Sequence, residues 1–97
     1  MLRQDYVFCI GFSDDVAIVD GKLKARYGRL GPRELAEKGL FKQAVASALS
    51  GGAAGDLAAV ADVFNRGTEF PVKEPGDLVR VFGVYAMPEH VKKVNIL

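Results

Sequence analysis

The chain has 97 residues, 49% of them hydrophobic and 26% charged, the proportions of an ordinary globular domain with room for one core. A formal net charge of +1 gives no global field to draw nucleic acid or a membrane, and the single Cys9 excludes an internal disulfide. No apolar run approaches the length of a membrane span, so the chain reads as a single α+β domain, residues 1–97, with a cytoplasmic home and no membrane partner.

Tyr6 to Phe12 is a short, nearly all-apolar run whose aromatic and β-branched residues predict a strand, placed centrally in a sheet because both faces are apolar. Asp15–Val19 and Lys22–Tyr27 flank Asp20-Gly21, a pair suited to the positive φ angles of a two-residue hairpin turn. This register puts Val16, Ile18, Leu23, Ala25 and Tyr27 on one face. Lys22, Lys24 and Arg26 fall on the other, with Asp15 across from Arg26.

From Pro32 to Leu49, apolar residues recur at three- and four-residue steps (Leu35, Phe41, Ala44, Val45, Ala48, Leu49), which predicts an amphipathic helix starting on Pro32. Gly39 interrupts the pattern. The expectation is one continuous helix, kinked at that glycine, over the alternative of a first short helix ended there by a left-handed cap, with Phe41 as a principal anchor. Ser50 to Gly55 then forms a glycine-rich loop, Asp56 caps a second helix carrying Leu57, Val60, Ala61 and Phe64, and Gly67 closes it as a left-handed cap. The two helices make an antiparallel hairpin.

Between Glu74 and Gly83, the proline near the start and the glycine at the end favour a short helix over a strand. Pro88-Glu89 reads as a turn, and Lys92–Leu97 alternates as a last strand with Val94 and Ile96 inward. The expected architecture is two-layered: an N-terminal three-stranded antiparallel meander plus a C-terminal strand, in sheet order 3-2-1-4, packed against the helical hairpin and the short third helix.

Charge is unevenly spread. Lys22, Lys24, Arg26, Arg29, Arg33, Lys38 and Lys42 face only Glu34 and Glu37 within the segment 22–42, and the N-terminal aspartates balance them. Lys22, Lys24, Arg26, Arg29 and Arg33 therefore form a candidate basic patch, with a solvated face as the alternative meaning of the same alternation. Cys9 with His90 as its base, or Asp14 with Asp15 as acid and base, would be enzymatic constellations. A thiol in an apolar strand is more often a packed core group, however, and adjacent strand residues point to opposite faces.

One Cys and one His without ligand spacing make no zinc site, and the Ser50–Gly55 loop follows a helix and lacks the lysine of a phosphate loop. No catalytic, cofactor-binding or metal-ligating residue is assigned. The expected function is a non-enzymatic protein-binding or adaptor module, with a protein partner or a homo-oligomer formed through an edge strand. Nucleic-acid or other polyanion binding through segment 22–42 is the alternative, and a small enzyme using Cys9 or the acidic pair is a further one.

Overall fold

In the computed structural model, which describes residues 2–51, 53 and 55–97, the chain is of the α+β class and forms two units. The first comprises the residues up to Arg29 together with Ala86–Leu97, and the second comprises Leu30–Tyr85.

The first unit opens with a helix, α1 (Arg3–Val7), where a strand was expected to begin. Asp5 lies in its first turn, where a carboxylate is favoured by the free N–H groups, and it is buried against Lys24. The chain turns at Phe8, which is itself fully buried, into β1 (Cys9–Ser13) and then β2 (Val16–Val19). The two strands form an antiparallel hairpin whose turn is Asp14-Asp15, with Asp14 at φ 53°. Short polar side chains tolerate that left-handed conformation, which is why an aspartate can stand where glycine is usual.

Asp20-Gly21, expected to be the hairpin turn, instead starts a helix, α2 (Gly21–Tyr27). The Asp20 carboxylate accepts the Leu23 N–H at 3.1 Å as an N-cap, and Gly21 takes the first helical position. Segment 22–27 is therefore not a strand. Over six residues, Leu23 and Tyr27 satisfy a helical i, i+4 repeat as well as Leu23, Ala25 and Tyr27 satisfy an alternating one, and the cap decides between them.

With that strand gone, the sheet has three strands in the order β1-β2-β3, not the four in the order 3-2-1-4 expected from the pattern. The last strand, β3 (Lys93–Ile96), lies parallel to β2, so β2 is central and β1 is an edge. Ala17 and Val19 are fully buried. Cys9 and Phe12 sit beside them on β1, and Val94 and Ile96 on β3. The β1–β2 register shifts between Cys9 and Gly11, leaving Ile10 in a bulge.

The second unit is helical: α3 (Pro32–Glu37), α4 (Phe41–Gly51), α5 (Asp56–Arg66) and α6 (Asp77–Val81). Pro32 is the first residue of α3, and the Glu34 carboxylate accepts the Gly31 N–H at 3.2 Å. The expected continuous helix is broken. Gly39 has φ 79°, its N–H goes to Ala36 O at 2.9 Å, and the Leu40 N–H goes to Leu35 O at 3.0 Å, the paired bonds of a Schellman ending.

Gly83 ends α6 in the same way: φ is 62°, Val84 N–H bonds Val79 O at 2.9 Å, and Gly83 N–H bonds Arg80 O at 3.3 Å. At α5 the left-handed residue is Gly55 (φ 91°), which is the N-cap and displaces Asp56 to the first helical turn, while Gly67 at φ −109° is not left-handed. Ser50 and Gly51 belong to α4, and Gly52 and Ala54 of the expected loop lie outside the described residues.

α3 packs on α4 and on α5, and α4 packs on α5. Ala44 to Ala48 are all buried, so the middle of α4 has no solvent face, whereas Leu49, expected on the buried stripe, is exposed. The rings of Phe41, Phe64 and Phe82 close into a trio with centroid separations of 5.4, 5.5 and 5.7 Å, joining α4, α5 and the end of α6.

Candidate functional site

The basic residues singled out in the sequence do not lie on a sheet face. Four of the five belong to the first unit, on or just after α2, and Arg33 belongs to α3 of the second. Arg33 bonds Glu37 at 3.2 Å and approaches Asp62 at 3.6 Å, an acid that also pairs with Arg66, so its charge is already balanced.

Within α2, the helical turn separates residues that strand register would have aligned. Lys24 points to Asp5 of α1 and forms an ion pair with that buried carboxylate. Lys22 and Arg26 are one helical turn apart on a different side. Gly28 retains helical angles (φ −62°, ψ −16°), so Arg29 continues their column at the seventh position. All three are exposed, and none has an ion-pair partner among the described residues. The Arg26 guanidinium rests 5.4 Å from the centre of the Tyr27 ring, a cation–π contact.

Beside this column lies an open cleft of about 270 Å³, lined by Gln4, Gly21, Lys24, Ala25, Gly28 and Arg29. Gly21, Ala25 and Gly28 follow one another at helical spacing and give the cleft a floor without bulky side chains. Gln4 crosses from α1, its amide donating to Gly28 O at 2.9 Å. A Cβ on Gly21 would fall 2.3 Å from Leu97 O, so only glycine fits at the start of α2.

The enzymatic candidates are engaged elsewhere. The Cys9 thiol, only half-buried rather than packed in a core, donates to Gly11 O at 3.0 Å. The His90 ring meets Phe12 edge to face with centroids 6.3 Å apart, and no hydrogen bond joins it to Cys9 among the described residues. Asp15, expected opposite Arg26, pairs instead with Lys93 at 3.3 Å, and its carbonyl accepts the Lys92 and Lys93 N–H groups at the start of β3. Asp14 is taken up in the turn.

Burial pushes the Tyr6 hydroxyl above its ordinary range, and the nearby Cys9 adds to the shift when charged. Among the described residues no group of three or more His, Cys, Asp or Glu side chains could hold a metal ion, and no helix is long and apolar enough to cross a membrane.

The open edge at β1 is the other feature of this unit. Every residue of β1 after Cys9 is exposed, including Ile10 at 56% and Phe12 at 49%. An all-apolar run predicts a strand in the middle of a sheet, so this exposed edge departs from the pattern. The roles of Gln4 and Asp5 were missed, and the aspartate inside the first turn was the one available sign of α1. The sequence matches no family model, and neither a curated protein nor a solved structure matches it.

Proposed function

We propose that the chain is a non-enzymatic protein-binding or adaptor module that receives an extended partner segment along the free edge of β1. The observation that carries this reading is an edge strand with Ile10 and Phe12 half in solvent. Strand addition supplies main-chain hydrogen bonds for affinity, while exposed apolar side chains supply selectivity. A second copy of the chain can use the same edge, giving a homo-oligomer. The bulge at Ile10 restricts pairing to segments that match its twist. The enzymatic reading has less support, since Cys9, His90 and Asp15 each contact groups other than a catalytic partner. A cytoplasmic home fits a half-exposed free thiol, which an oxidising compartment would put at risk.

The test is affinity capture from cells, with oligomeric state measured by light scattering, for the wild type and for the double substitution Ile10→Glu and Phe12→Glu. The expected result is a partner, or a second copy, held by the wild type and lost by the variant at unchanged circular dichroism. An interaction retained equally by both would place the interface elsewhere and overturn the proposal.

A further inference from the structure

The geometry points to a second binding surface, independent of the β1 edge: the Lys22–Arg26–Arg29 column of α2 with the adjoining cleft binds the phosphodiester backbone of single-stranded nucleic acid. The three cations are exposed and free of ion pairs among the described residues, whereas Lys24, the other cation of α2, is neutralised by Asp5. Phosphates laid along such a column release the counterions condensed on the nucleic acid, which favours binding at low salt.

Spacing supports a strand of phosphates. A helix rises about 1.5 Å per residue, so the column runs about 10 Å along the axis, a length that two or three successive phosphates of one strand can follow. The column tracks the backbone of one strand, as single-strand binders do. The cleft lies beside the column, and Arg29 belongs to both. Gln4 and Arg29 supply polar groups at its walls. Tyr27 is already covered by Arg26, so bases gain little stacking and the binding is largely independent of sequence.

Fluorescence anisotropy with a labelled oligo(dT) 12-mer tests the inference. The wild type is expected to bind, with affinity falling about twentyfold between ~50 and ~200 mM salt, as about three phosphate contacts to a single strand require. The triple substitution Lys22→Ala, Arg26→Ala and Arg29→Ala, with its fold checked by circular dichroism, should abolish binding. Lys38→Ala with Lys42→Ala, which also removes basic residues but in the second unit, should leave most of it.

Failure of the wild type to bind at ~50 mM salt would overturn the inference, as would equal binding by the triple variant. So would equal or tighter binding of a 12-base-pair duplex, or of vesicles containing phosphatidylserine. Because none of these substitutions touches Ile10 or Phe12, the outcome is separable from that at the β1 edge.

Discussion

Gly39 and Lys24 show how much a single position decides in this chain. At Gly39 a side chain meets no neighbour, yet φ 79° is unfavourable for any L residue, so Gly39→Ala should destabilise by about 1–2 kcal/mol. A denaturant midpoint that rises instead would mean that α3 and α4 run on as one helix. Lys24→Ala should cost about 2 kcal/mol, because it leaves the Asp5 carboxylate buried without its counter-ion. That figure is below the loss expected for a wholly buried pair, since Lys24 keeps 22% of its side chain in solvent. Adding Asp5→Asn to the same variant should recover part of the loss, which urea unfolding of both variants checks.

Tyr6 gives a pH dependence with a definite sign. Burial holds its hydroxyl above the ordinary tyrosine value of 10.0 in the folded chain, so in alkali the unfolded chain loses this proton first and the folded chain holds more protons. The stabilisation is complete below about pH 10 and is lost as pH climbs through the raised folded value. Alkaline unfolding curves should show that decline, and Tyr6→Phe should flatten it.

At the level of elements, the Phe41, Phe64 and Phe82 rings link three helices that short connections alone would hold weakly. Phe41→Ala should cost about 3 kcal/mol. A double-mutant cycle of Phe41→Ala with Phe64→Ala should show about 0.5–1.5 kcal/mol of coupling beyond the lost burial, and strict additivity would mean that the edge-to-face contact adds nothing.

These helices were also the readable part of the sequence. Pro32 marked a true start, Gly83 a true stop, and Leu57, Val60, Ala61 and Phe64 a true helical repeat. α2 was not readable as a helix, because Asp-Gly serves a hairpin turn and a helix cap equally well and a six-residue segment is too short for periodicity to separate them. In the fold the Asp20 cap decides it, and Asp5, nineteen positions upstream, adds an ion-pair partner for Lys24. The basic cluster was thus visible as composition, but the division into a free column and a neutralised Lys24 depended on a contact that no local pattern encodes.

For the whole chain, the governing fact is that the first unit is discontinuous in sequence. Its sheet draws β1 and β2 from the beginning and β3 from residues 93–96, while Leu30–Tyr85 forms a unit of its own in between. Removing residues 92–97 should reduce the sheet to a two-stranded hairpin, which is marginal in water, and expose Ala17 and Val19 on the side that β3 covered. Amide exchange across Val16–Val19 should then accelerate to near unfolded rates, while the amides of α4 and α5 stay protected. Equal loss of protection in both units would show that they unfold as one.

The parallel pairing of β2 with β3 also imposes an order of events on a ribosome. Each residue of the β2 stretch VAIV emerges 77 residues before its partner on β3, a wait of roughly 4–15 s at ordinary elongation rates. During that interval the helices of Leu30–Tyr85 can form from contacts close in sequence, whereas the central strand shows an unpaired apolar edge to every other nascent chain nearby. The hairpin of Asp14-Asp15 and the buried Asp5–Lys24 pair are made entirely from residues already synthesised, so they can form early, but the strand gains lasting protection only when Lys93 to Ile96 arrive.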